Sequence, residues 1–559
     1  MKENKKESFF EAVKNGGEIT NKIFQNEKIN TAICAFILIA ACFLLYFKVI
    51  NFGYTEIDDY NSIVTCAPSY EQEYSLLKAF KTNVMFDKFP SPYYRPIIAC
   101  AFIIQNKIAG PSSKLAHFST IFMHSLCVLV MFFFLKRNLF KTEISFLAAL
   151  LFAVCPGAMY GAVWITGIQE SIGILFFILS LAFFIEYLKG VGRQKQIFLT
   201  GHVLCMIVCF FTRESAVSYP FIFLFYYFLS KDAKQKIQIR CYVLWAASMA
   251  FFFYMRKLAG NSGGIPLSLH ISPDNSVMMF DYYTTLVFLK TPFAATISMQ
   301  KYILGSIAII LCFIFAFFEG KKLKFNKINL FYFLLPMLIA APSITAGDRF
   351  WFQGNRIYPM SFGFVVIVFT FLKYFIENKK TKIFTFCGVL AFIVLCAYTS
   401  YTRADVFKNG LSFNGEIVKE DPKHIQARKF HALAHLKNGN IKDTIEELAA
   451  LNRDINYSFD ETNYHLAFWL LINGNYGESA KVFELMINKG QTFNAQVFAG
   501  AFLSNYLLGQ KEKAQEYAGL LMKAANVTPQ QAQQYINGYF SYIKEQREDI
   551  FGKIIIKDN

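Results

Sequence analysis

Two adjacent carboxylates, Asp58 and Asp59, directly follow the first long apolar run of the chain. Six more ionisable residues stand at the ends of later apolar runs or close to them: Arg95, Glu170, Arg213, Glu214, Arg349 and Arg356. An ionisable group at membrane depth costs roughly 2.5–3.5 kcal/mol on insertion scales, so such groups face a cavity, a partner or a substrate. Arginine forks bind a phosphate bidentately, and a carboxylate takes the proton from an attacking hydroxyl. Transfer of a sugar from a lipid phosphate needs this combination. Other roles stand beside it. Asp58 and Asp59 also suit a solvated loop start or a helix cap, and an adjacent pair can hold one pKa up or bind a divalent cation. Arg213 and Glu214 also suit a local ion pair. Arg349 and Arg356 also suit snorkelling anchors. His117 and His124, seven apart on one helix face, also suit packing.

The elements that must hold these residues are membrane helices. Apolar residues make up 55% of 559 positions, with 64 phenylalanines, more than one soluble core can bury. The net charge of +17 does not point to nucleic acid, because the basic residues sit in short clusters between apolar runs, as the positive-inside rule places them. Ten of twelve cysteines fall in or beside apolar runs, so there is no disulfide framework; Cys66 and Cys100 are the one plausible pair, and pairing is not expected. Apolar runs lie near 31–51, 115–135, 143–161, 164–188, 197–211, 215–230, 241–257, 302–318, 328–345, 357–376 and 383–401, which predicts eleven crossings. The first reads as a retained helix, since no small-residue cleavage site follows it. Basic connections alternate with connections poor in positive charge, placing residues 1–30 in the cytoplasm and the long loops 52–114 and 258–301 outside. Tyr93–Ile108, apolar but parity-breaking if counted, is expected to lie on the outer membrane face. An odd number of crossings puts residues 403–559 outside, in the periplasm of a Gram-negative source. The charged residues above then gather on that same outer side.

That terminal domain repeats. Gly439, Gly474 and Gly509 are 35 residues apart, each followed after five residues by a small one, Thr444, Ser479 and Ala514. Ala432 and Ala467 stand seven before the first two glycines, where the third unit has Phe502. The period fits tetratricopeptide (TPR) helix pairs, which bind or position partners.

Tyr94-Arg95-Pro96, Gly110-Pro111, His117 with His124, Pro156, the run Ala162 to Gly167 with Glu170, Arg213 to Ala216 with Pro220, and Arg356 to Ser361 including Tyr358 together resemble the tetratricopeptide-bearing membrane O-mannosyltransferases and their bacterial relatives in the GT-C superfamily. The likeness runs in order from residue 30 to about 400. Asp58-Asp59 falls where that family carries its first-loop acidic pair. Departures are Thr120 near an asparagine position between the histidines, Asn355 for a glutamate, and compressed spacing after Arg356. The resemblance implies an all-α fold, a GT-C-like domain over 31–402 carrying a TPR-like solenoid over 403–559. It implies an inverting glycosyltransferase of the inner membrane that moves a sugar from a polyprenyl-phosphate donor to an extracytoplasmic hydroxyl of a protein or glycan. Asp58, with Asp59 its rival, is the expected base; Arg213, Arg349 and Arg356 are expected to hold the donor phosphate. Arg95, Glu170, Glu214, Tyr358, His117 and His124 are expected in the substrate pocket. No cofactor is required, though the acidic pair is suited to a divalent cation. A transporter or ligase of lipid-linked glycans and a non-catalytic scaffold are the rival readings; the inverted halves a transporter would carry are not seen.

Overall fold

The computed structural model describes residues 27–55, 58–72, 76–85, 93–230, 237–260, 273–289, 293, 299–317, 327–344, 354–492 and 495–557. The chain is all-helical, 86% helix with no strand among the described residues, and divides into two compact units, 1–409 and 410–559.

Among the described residues of the first unit, six helical stretches are long and apolar enough to cross a membrane: Glu27–Asn51, Ser113–Asn138, Ile165–Lys189, Gly192–Thr212, Gly354–Glu377 and Lys382–Lys408. Their principal helices are α1 (Glu27–Tyr46), α3 (Ser113–Asn138), α6 (Ile168–Lys189), α7 (Gly192–Thr212), α13 (Ile357–Glu377) and α14 (Lys382–Ala404). A seventh is possible as the pair α4 (Thr142–Val154) and α5 (Pro156–Val163), bent by 63°. Pro156 explains the break: it brings no N–H to α4, and it holds Cys155 extended at φ −71°, ψ 142° before opening α5. Four more helices stand at the remaining expected runs: α8 (Tyr219–Leu229), α9 (Ile239–Leu258), α11 (Met299–Phe317) and α12 (Lys327–Ile344). Among the described residues α11 counts as a shorter apolar helix over Tyr302–Ala316; α8, at 11 residues, reaches only about 16 Å of a hydrocarbon core of roughly 30 Å. The segment expected on the membrane face is α2 (Pro96–Ala109), 14 residues and about 21 Å, also too short to cross. α10 (Pro273–Phe288) lies in the second long loop.

Central and peripheral helices are easily told apart. The apolar window of α6 is 72% buried within the protein, whereas those of α1 and α14 are 22% buried and keep apolar side chains such as Leu44 and Phe384 exposed. Around α6 lie α3 and α7, and α5 is buried along its whole length. α5 and α13 approach so closely that a Cβ at Gly161 would lie 2.4 Å from the Tyr358 ring, and one at Gly354 would lie 2.3 Å from Tyr160. That contact fixes the start of α13, and with it Arg356.

The second unit is built from helix hairpins: α15 (Gly410–Glu420), then α16 (Ile425–Lys437) with α17 (Ile441–Asp454), α18 (Asp460–Ile472) with α19 (Tyr476–Asn488), α20 (Ala495–Leu507) with α21 (Lys511–Ala525), and α22 (Pro529–Lys557). Gly439, Gly474 and Gly509 turn the three hairpins with φ of 79°, 88° and 80°. The small residue five positions on is buried each time. Thr444 Oγ1 donates to Ala432 O at 2.9 Å and Ser479 Oγ to Ala467 O at 2.7 Å, one helix clamped to the next at equivalent points. In the third hairpin close approach is carried by Gly500, where a Cβ would lie 2.3 Å from the Phe483 ring, so Phe502 can stand where the others have alanine. Nothing lies within 4 Å of a Cβ built at Gly474. Gly474→Ala is therefore expected to cost backbone energy alone, about 1–2 kcal/mol for an L-residue in the left-handed region, read as a lower unfolding temperature.

Candidate functional site

α1 continues as a 3-10 turn through Asn51, Phe52 after it is extended, and a helical turn opens at Asp58 and Asp59. A π-helical turn, Asn61–Thr65, follows; such turns are rare and frequent at functional sites. The two aspartates part company here. Asp59 is fully buried, with its Oδ2 accepting from Thr55 N at 3.3 Å and Thr55 Oγ1 at 2.8 Å, and its Oδ1 from Thr166 N at 3.2 Å. Trp164 Nε1 donates to the same Thr55 hydroxyl at 3.3 Å, so the pair is anchored to the Ala162–Gly167 segment. Asp58 is exposed and has no hydrogen-bond partner among the described residues.

Burial pushes the Asp59 carboxyl up to about 6, against the hydrogen bonds from Thr55 and Thr166, and the neighbouring Asp58 charge adds to the rise. Burial raises the Asp58 carboxyl as well, with the Arg95 charge opposing. A side chain can be open to water and still lack much of its bulk solvation where protein surrounds the opening, as in a cavity. The sign for activity is definite. A raised carboxyl pKa keeps the acid neutral to higher pH, so any function needing the ionised pair falls away as pH drops through about 6. Stability runs the other way: the neutral form is favoured in the fold, so this contribution is complete below the ordinary value of 3.8 and fades as pH rises through about 6.

Arg95 precedes α2. Its Nε pairs with Glu214 Oε2 at 2.9 Å, its Nη1 donates to Gln169 Oε1 at 2.6 Å, and its guanidinium lies 4.2 Å from the Tyr93 ring centre. Glu214 also accepts from Tyr94 N at 2.7 Å. Arg213 does not pair with its neighbour Glu214. It pairs with Glu170 at the start of α6, whose Oε1 also accepts from Asn355 Nδ2 at 2.7 Å. Backbone geometry explains the split: Arg213 is extended, at φ −159° and ψ 135°, and successive side chains of an extended segment point to opposite sides. Two arginines are thus neutralised by two glutamates, all four largely buried. Arg356 is left over. It is 8% exposed, and its Nε and Nη1 have no hydrogen-bond partner among the described residues. It shares a narrow crevice with Glu170, Arg213, Gln169, Ser215 and Tyr219.

His117, His124 and Tyr358 form a different set, turned into the helix packing. His124 Nε2 lies 3.1 Å from Ala153 O, a bond that only its N–H can make, which leaves Nδ1 to accept from the Tyr358 hydroxyl at 2.9 Å in the neutral ring. His117 Nε2 lies 3.0 Å from Gly53 O. Arg349 lies outside the described residues. Sequence reasoning missed Thr55, Thr166, Gln169 and Arg256. Gln169 adjoins Glu170 and was detectable as a second polar residue opening an apolar helix; Arg256, 4% exposed and acted on by the Glu214 charge, closes α9. No protein-family model matches the chain, and no curated protein matches it.

Proposed function

We propose that the chain is an inverting GT-C-type glycosyltransferase that takes a sugar from a polyprenyl-phosphate donor and moves it to an extracytoplasmic hydroxyl. The observation that carries this reading is a buried guanidinium with free donors, Arg356, in a crevice whose Gln169 bonds Arg95, the arginine whose charge acts on the open carboxylate Asp58. A buried cation without a counter-ion is costly unless an anion completes it. A phosphodiester headgroup is such an anion, and arginine suits it.

In this mechanism Asp58 takes the proton of the acceptor hydroxyl as its oxygen bonds to the anomeric carbon. The bond from that carbon to the phosphate oxygen breaks, and the electron pair leaves with polyprenyl phosphate. One displacement inverts the centre without a covalent enzyme intermediate. Arg356, with Arg213 beside it, meets the charge growing on the leaving phosphate, where preorganised donors have their largest effect. Asp59, its oxygens occupied by three donors, holds the Asp58 turn in place. Asp58 is then the member of the pair open to a proton or a divalent cation. Arg95, Glu170 and Glu214 shape the pocket, and the His117, His124 and Tyr358 set supports its floor. The positive-inside pattern supports eleven crossings, counting the bent pair as one and including α8, α9, α11 and α12. It also supports a cytoplasmic N-terminus in the inner membrane and an extracytoplasmic second unit, whose glycine-turned hairpins support a TPR-like solenoid recruiting the acceptor.

The direct test is competition in lipid nanodiscs. Binding of a polyprenyl-phosphate sugar should be displaced by polyprenyl phosphate and left untouched by polyprenol of equal length. Equal displacement by both would remove the phosphate site and with it this reading, leaving a scaffold.

A further inference from the structure

The second unit holds a cluster that sugar transfer does not use. His431 and His435 are four apart on α16, and Asp443 and Glu447 are four apart on α17, so each pair shares one helix face across the Gly439 turn. The hairpin brings the faces together. His431 Nδ1 lies 2.8 and 3.0 Å from the two Glu447 oxygens, His435 Nε2 lies 4.0 Å from Glu447 Oε2, and His435 Nδ1 lies 3.7 Å from Asp443 Oδ2. The imidazole rings are 5.0 Å apart and nearly perpendicular. One ligand atom each from His431, His435 and Glu447 lies within 4.8 Å of the others.

From this geometry we propose that His431, His435 and Glu447 bind one divalent ion of the zinc class, with Asp443 or a water at the fourth position. A plain His431–Glu447 hydrogen bond accounts for those two groups but not for His435, whose Nδ1 is shut off from solvent without a hydrogen-bond partner among the described residues. An ion supplies what it lacks. Ligand bonds of about 2.0–2.1 Å in a tetrahedron set ligand atoms roughly 3.4 Å apart, a separation that lies between the 2.8 Å from His431 Nδ1 to Glu447 Oε1 and the 4.8 Å within which all three ligand atoms fall. Two imidazoles with a carboxylate select zinc-like ions over calcium or magnesium, which take oxygen ligands. The backbone spacing is already fixed, by the Thr444 bond to Ala432 between the same two helices and by Gly415 of α15 behind the His431 ring. The ion ties α16 to α17 and so stabilises the first hairpin, independently of the transfer site.

The test uses the full chain in nanodiscs, stripped with chelator and titrated with zinc chloride. One equivalent should bind per chain and raise the unfolding temperature, magnesium chloride should do neither, and X-ray absorption at the zinc edge should show two imidazole nitrogens. His435→Ala and Glu447→Gln should each weaken binding by more than the roughly 10- to 100-fold that changes outside the ligand shell cost, while His465→Asn, outside the cluster, keeps it. No stoichiometric zinc uptake by the wild type, an all-oxygen shell, or undiminished binding by both cluster variants would overturn the proposal. The edge spectrum comes from the wild type, so it decides even where a variant folds poorly.

Discussion

Arg356→Met is expected to cut sugar transfer by about 10²–10³-fold, the range for removing one preorganised donor from a charge that grows in the transition state, while leaving thermal stability unchanged or higher. The second half of that expectation gives it its force. An arginine kept for structure is paired, and its loss exposes a partner. Arg356 presents Nε and Nη1 to no protein acceptor among the described residues, so in the empty fold it is a desolvated charge offset only by the nearby Glu170 charge, which is already paired with Arg213, and by the Tyr282 and Tyr93 hydroxyls. Methionine fills a similar volume without that penalty, as when buried charges are exchanged for apolar residues. The contrast is Glu170→Ala, which strands Arg213 and Asn355 and so should lower the unfolding temperature. Steady-state transfer and a thermal melt on the same samples check both.

Asp58→Asn is expected to lower turnover by about 10²–10⁴-fold, the usual share of a positioned general base, with donor affinity and unfolding temperature close to wild type. Among the described residues Asp58 makes no hydrogen bond that asparagine would break. Asp59→Asn should fail differently. Both Asp59 oxygens accept, from two backbone N–H groups and a hydroxyl, and an amide turns one acceptor into a donor facing a donor. Losing a hydrogen bond to a charged group costs about 1.5–3 kcal/mol, so this variant should melt earlier and lose turnover by displacing Asp58. Its residual activity should keep a dependence on pH, whereas the Asp58 variant should lose the acid limb.

Some of this was plain in the residues. Apolar length alone marks Ser113–Asn138 and Ile165–Lys189 as membrane helices, and a 35-residue spacing of glycines marks the hairpin turns, since glycine enters the left-handed region most cheaply. Ionisable residues at the ends of apolar runs pointed to a candidate site, because burying them needs a reason. What stayed hidden depends on contacts distant in sequence. Asp58 and Asp59 look equivalent until Thr166, more than a hundred residues on, donates to one of them. Arg213 and Glu214 look like a pair until the extended backbone turns them apart. The run 143–161 reads as one span, although Pro156 within it already signalled the break, and 215–230 reads as a span whose first residues form a 3-10 turn instead. His431, His435, Asp443 and Glu447 were visible as two i, i+4 pairs, but only the hairpin shows that the pairs face each other.

The central claim is that the free guanidinium and the open carboxylate serve one reaction. The measurement that bears on it most directly follows a sugar label in a panel of radiolabelled polyprenyl-phosphate sugars, incubated in lipid with an envelope extract. The wild type should move label from at least one donor to an acceptor and release polyprenyl phosphate, and Asp58→Asn should leave that donor intact although it still binds. Label that stays on every donor with the wild type, or leaves equally fast with Asp58→Asn, would contradict the account.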